Sequence, residues 1–64
     1  MIVAGVDYDV NWRGFTRGST LFFPCLDPKA ARREIKAEMR RLGFNVAYKS
    51  SIELGVRGVR IWRL

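Results

Sequence analysis

The sequence contains no histidine, which removes the commonest general base and the commonest side-chain metal ligand. Its one cysteine, Cys25, has neither a base to activate it nor a second thiol to pair with, and it reads as a small buried apolar residue. Asp7 and Asp9 are two apart and point the same way if their segment is a strand. That is the minimum for a hard-cation site, but so short a chain offers few further oxygen ligands, and two solvated acids is the simpler reading. No catalytic group, metal set or cofactor site is therefore expected, and the chain reads as a binder and not an enzyme.

What the sequence does supply is cationic and aromatic side chains in three places. Lys29, Arg33, Lys36 and Arg40 recur at helical spacing; Trp12, Arg13 and Arg17 cluster around Phe15; Arg57, Arg60, Trp62 and Arg63 crowd the last eight residues. Such groups neutralise phosphates and stack on bases. None of the three is a named motif: there is no paired helix-turn-helix, zinc ligand set or RNA-recognition octamer. A cationic row on a helix is ordinarily a solvated face, a tryptophan in a small domain is ordinarily packing, and the Arg-Gly pairs at Arg13, Arg17 and Arg57 ordinarily mark turns. The one-sided sign of the helical row favours the binding reading, because a merely solubilising face mixes both signs.

The charge is unevenly placed. Of the net +6, residues 1–26 contribute nothing, whereas residues 27–43 and 44–64 carry +3 each. Such a bias points to a polyanion or an acidic protein surface. Sixty-four residues make one domain, 1–64, and a chain of this length buries only about 60% of its unfolded surface, which leaves a marginal core and little room for a substrate pocket. The lone cysteine precludes an intramolecular disulfide and suits a reducing cytoplasm. No apolar run reaches signal-peptide or membrane-span length, so no membrane association is expected.

The elements that must position these residues follow from periodicity. Ile2, Ala4, Val6, Tyr8, Val10 and Trp12 alternate with more polar residues, predicting a first strand with one apolar face. Asn11 to Ser19 holds a hairpin tip, with Gly14 and Gly18 as turn positions. A second strand runs from about Thr20 to Cys25, and Pro24 places its end at a sheet edge or strand terminus. Asp27 as N-cap, Pro28 at the first position and Gly43 as the left-handed stop delimit the only helix, with Phe44 folding back on its last turn. Ala31, Ile35, Met39 and Leu42 form its core stripe, and Glu38 can pair with Arg41. Phe44, Val46 and Tyr48 share one side of a third strand, Ser50 to Gly58 reads as a long hairpin connection, and Val59 to Leu64 is the last strand. In that strand either Val59 and Ile61 face the core, leaving Arg60 and Trp62 outside, or the opposite phase buries Trp62 beside a costly arginine. The sum is an α+β domain, strand-strand-helix-strand-strand, with one helix packed across an antiparallel or mixed sheet.

Three stretches carry a resemblance: Gly18-Ser19-Thr20-Leu21-Phe22-Phe23-Pro24, the basic helix ending Leu42-Gly43-Phe44, and Gly58-Val59-Arg60-Ile61-Trp62-Arg63. Over residues 18–64 the chain resembles a group of small, uncharacterised bacteriophage proteins with a Gly-x-Ser-Phe-Phe-x-Pro stretch, a basic helix and a closing Gly-x-Arg-Val-Trp-Arg. It departs from them by an extra residue after Ser19 and a longer connection before the last strand. The resemblance implies a phage origin, with the host cytoplasm as the setting, and implies no chemistry.

Two functions are weighed. The first is a nucleic-acid-binding accessory protein, DNA ahead of RNA; the second is an inhibitor or adaptor that docks on an acidic surface of a host polymerase or defence complex such as a CRISPR effector. Edge strands and an uncovered sheet face leave room for a homodimer in either case. Replacing Arg33, Lys36 and Arg40 together by glutamine is expected to leave the circular-dichroism spectrum and unfolding midpoint intact and to weaken partner binding. Unchanged binding would reduce the row to a solvated face.

Overall fold

The computed structural model describes residues 1–3 and 5–64. Helix α1 spans Pro28–Leu42, with both ends closed as their residues dictate. The Asp27 carboxylate accepts from the Ala30 N–H at 3.2 Å. At the other end Gly43, at φ +76°, donates to the Arg40 carbonyl at 3.2 Å while Phe44 donates to that of Met39 at 2.9 Å. Those two bonds satisfy carbonyls that the helix itself leaves unpaired. Ala31, Ile35 and Met39 are buried and Leu42 is half-buried, so the apolar stripe is the core face.

Three strands form one antiparallel sheet: β3 (Thr20–Pro24), β4 (Val46–Glu53) and β5 (Val56–Arg63), in the order β3-β5-β4. The chain's last strand is therefore the central one. The third strand does not stop near Ser50, and no long connection follows it. Its ladder with β5 runs unbroken from Val46↔Arg63 to Glu53↔Val56, closed by the two-residue turn Leu54–Gly55 with φ of +52° and +77°. Two positive φ values are what a tight hairpin turn requires for its twist to match the strands. Of the two glycines in the stretch from Ser50 to Gly58, only Gly55 turns the chain. Gly58 lies inside β5, where an added Cβ would run into the Phe23 carbonyl and approach the Phe22 ring to 2.6 Å. A glycine is needed there because β3 crosses too close for a side chain.

The amino-terminal reading is corrected as well. No long strand runs to Trp12; instead β1 (Ile2–Val3) and β2 (Val6–Asp7) pair with each other, Val3 opposite Val6, around Gly5 at φ +80°. The side chain buried at this end is Val3, while Ile2 and Val6 are exposed, the reverse of the expected phase. Ala4, expected on the apolar face, lies outside the described residues. A left-handed glycine reverses the chain here, and burial against α1 selects Val3. Residues 11–19 are accordingly no hairpin tip: β2 and β3 belong to different sheets, and Trp12–Gly14 forms a 3-10 turn. Beyond β2, the Tyr8 hydroxyl donates to the Pro24 carbonyl and its ring meets Phe23 edge-on, centroids 5.1 Å apart.

Among the described residues one helix and five strands in two antiparallel sheets make an α+β fold. Its core is a single layer between α1 and one face of the three-stranded sheet, built from Val3, Phe15, Phe23, Cys25, Ala31, Ile35, Met39, Val46, Val59 and Ile61. Gly58→Ala is expected to lower stability by about 1–3 kcal/mol, the usual result of forcing a methyl group into a filled space. Gly14→Ala, whose new Cβ would meet nothing closer than 3.6 Å, should be nearly neutral. Urea unfolding of the two variants measures the contrast.

Candidate nucleic-acid interface

Directly opposed residues of an antiparallel sheet share a face. Burial of Phe23, Val59, Ile61 and Val46 under α1 therefore puts the alternate set on the open side: Thr20 and Phe22 of β3, Gly58, Arg60 and Trp62 of β5, Ala47, Lys49, Ser51 and Glu53 of β4. Of the two phases left open for the last strand, this is the one with Arg60 and Trp62 outside.

Arg60 sits at the centre of that face with its donors engaged. Its Nε donates to Glu53 Oε2 at 2.7 Å, Nη2 donates to Glu53 Oε1, and Nη1 donates to Thr20 Oγ1 at 3.0 Å. Thr20 in turn donates to the Ile61 carbonyl at 2.8 Å. The guanidinium carbon lies 5.3 Å from the centroid of the Phe22 ring, which itself rests on Gly58. Hydrogen bonding to Arg60 holds the Glu53 carboxyl below its ordinary value, and the same bond raises that of Arg60. Arg60 thus supplies a fixed plane with its charge offset, and not a mobile phosphate ligand.

Trp62 is half-buried one step along the strand, and the residues across from it on both sides, Thr20 and Ala47, are small. No bulky residue stands directly opposite the indole. Lys49 lies opposite Arg60, exposed. The face therefore offers an indole, a pinned arginine and a lysine, with Glu53 as the one acid among its described residues, and that acid is engaged by Arg60.

The other sequence candidates lie elsewhere. Lys29, Arg33, Lys36 and Arg40 are exposed on α1, in the layer opposite the open face, so the helical row and the Arg60–Trp62 pair do not form one surface. Lys36 instead stands 5.6 Å over the ring of Tyr48, on the helix side of β4. Burial pushes the Tyr48 hydroxyl up, and the charge of Arg40 pulls it partly back. Trp12 and Arg63 are joined through Phe44: Trp12 meets Phe15 and Phe44 at 5.5 and 6.0 Å, and the Arg63 guanidinium stacks on Phe44 at 4.2 Å with its Nε buried and unpartnered. That cluster is packing. Arg13 and Arg17 are exposed in the connection before β3. Arg57 is exposed at the far end of the sheet, where its carbonyl accepts from the Cys25 N–H at 3.0 Å.

Sequence reasoning missed Phe22, Lys49 and Glu53. Phe22 was recoverable by committing Phe23 to the core, since alternation then turns its neighbour out. Glu53 was not, because its closeness to Arg60 depends on the register of a hairpin read as a long loop. Asp7 proves to be the acceptor of the Met1 amino group at 3.2 Å, and among the described residues no group of three or more acidic or cysteine side chains could hold a metal ion.

The Glu53–Arg60 pair sets a pH dependence with a definite sign. A carboxyl held below its ordinary value in the folded state contributes stability that is whole above the ordinary carboxylate range and disappears as pH falls through the depressed value. Glu53→Gln should lower stability at neutral pH and remove part of the loss on acidification, which urea unfolding at neutral pH and at about pH 3 would show. Comparisons of this chain with protein-family models, with curated proteins and with solved structures find no match.

Proposed function

We propose that this chain is a small, basic nucleic-acid-binding accessory protein without catalytic activity, and that single-stranded segments stack on the open face of its sheet at Trp62. The observation that supports the reading is the composition of that face: a half-buried indole with small residues directly opposite, beside a guanidinium held over Phe22 and an exposed lysine. Every base has a π-face, so such a platform binds strands with little regard to sequence, and each base stack is worth about 1–3 kcal/mol. Phosphates on either side meet Lys49 on the open face, while the helical row on the opposite layer adds long-range attraction through the net +6. No described helix is long and apolar enough to cross a membrane. A phage origin and a place in the host cytoplasm are part of the proposal, through the resemblance over residues 18–64.

Fluorescence anisotropy with a labelled single-stranded DNA, and the matching RNA as comparison, tests it. Binding at micromolar or tighter affinity in low salt is expected, weakening steeply as salt rises. Trp62→Ala should weaken it roughly 5- to 150-fold, the equivalent of one lost base stack. Lys49→Gln should reduce the salt slope by about one. No retention on DNA or RNA at low salt would sink the proposal and leave the other reading, an inhibitor or adaptor on an acidic host protein surface, for capture from a nuclease-treated lysate to pursue.

A further inference from the structure

The two edges of the three-stranded sheet are treated differently. Strand β3 is five residues long, ends in Pro24, and has residues 9–11 beside Leu21 and Thr20 in one surface groove. Strand β4 is eight residues long, contains no proline, and pairs with β5 in unbroken register; among the described residues no strand lies on its other side. The tight turn closes on the Glu53–Val56 pair, so alternate residues from Ala47 to Glu53 point their amides and carbonyls at β5. Those of Val46, Tyr48, Ser50 and Ile52 point away from it, a row of main-chain groups that another strand can pair with.

We infer that two copies of this chain pair antiparallel through β4, about a two-fold axis at Ser50, to form one six-stranded sheet. The two-fold axis requires residues on the same face to oppose each other, which limits the central register to one centred on Lys49 or one centred on Ser50. Centring on Lys49 sets two like charges directly opposite, which is destabilising. Centring on Ser50 sets Tyr48 opposite the partner's Ile52 and Lys49 opposite the partner's Ser51, with the partner's Lys49 and Glu53 moved to the more distant diagonal positions. The Tyr48–Ile52 match covers an isoleucine that is 69% exposed in the single chain. Tyr48, Ser50 and Ile52 exchange main-chain hydrogen bonds with their counterparts in this register. Pro24 at the outer edge stops the sheet from growing further, so the assembly closes as a dimer. Both open faces, and with them both Trp62 side chains, then lie on one side of the continuous sheet. The pairing itself does not depend on nucleic acid.

Cross-linking decides the register. An opposed, hydrogen-bonded antiparallel pair has its Cα atoms about 5.5 Å apart, within disulfide reach. In a Cys25→Ser background, Ser50→Cys is expected to oxidise rapidly to a covalent dimer, and Lys49→Cys to remain mostly monomeric. Light scattering of the unaltered chain should give twice 7.4 kDa at high concentration, with the dimer favoured by added salt because each copy carries +6. Ser50→Pro removes only an outward-facing N–H, and should keep the circular-dichroism spectrum while giving a monomer. Faster cross-linking through Lys49→Cys than through Ser50→Cys would overturn the inference. So would a 7.4 kDa particle at all concentrations and salts, or a Ser50→Pro variant that is folded and still dimeric.

Discussion

Burial of Val59 and Ile61 beneath Ala31, Ile35 and Met39 sets the phase of β5, and the sheet is arranged by that one contact. Because β5 is central, its phase passes through both ladders, turning Phe23 and Val46 inward and Phe22 and Lys49 outward. A single 15-residue helix can cover only one face of such a sheet. The other face is left to solvent with whatever the alternate positions carry, and here they carry an indole, a phenyl ring and a guanidinium.

The open face would be poorly defined without internal support, and Gly58 and Glu53 provide it. Gly58 leaves room for the Phe22 ring beside the backbone, Arg60 lies over that ring, and Glu53 with Thr20 fixes the guanidinium from two sides. A pinned arginine loses less rotamer freedom on meeting a ligand than a mobile one, although its charge is already partly offset. The basic charge available at long range therefore sits mainly on α1, on the far side of the molecule. Aromatic surface and unpaired positive charge are divided between two layers, and among the described residues only Lys49 combines an exposed cation with a place on the open face.

Much of this arrangement was legible in the sequence. Asp27, Pro28, Gly43 and Phe44 delimit α1 to the residue, because capping uses groups adjacent in the chain. The i, i+4, i+8 spacing of Ala31, Ile35 and Met39 marks the core face for the same reason, and Pro24 marks the end of an edge strand. Readings failed where a residue type has two meanings that only a distant neighbour separates. Gly58 looks like a turn glycine until Phe22 and Phe23 are seen crossing it, and Ser50–Ser51 looks like a loop until β5 is seen paired alongside. The run Ile2 to Trp12 alternates well enough to suggest one strand, yet Gly5 reverses it and burial selects Val3.

The sequence by itself determined the helix, its two stripes, the α+β class and the surplus of positive charge, all of which follow from interactions within a few residues or from composition. Tertiary structure alone decided that the cationic helix and the Arg60–Trp62 pair face opposite ways, that Arg63 and Trp12 serve packing through Phe44, and that Glu53 engages Arg60. Each of those depends on the register between strands, and a one-residue change of register moves every side chain to the other face. Local spacing cannot carry that information, because it comes from closing contacts some 40 residues apart, such as the one between Thr20 and Ile61.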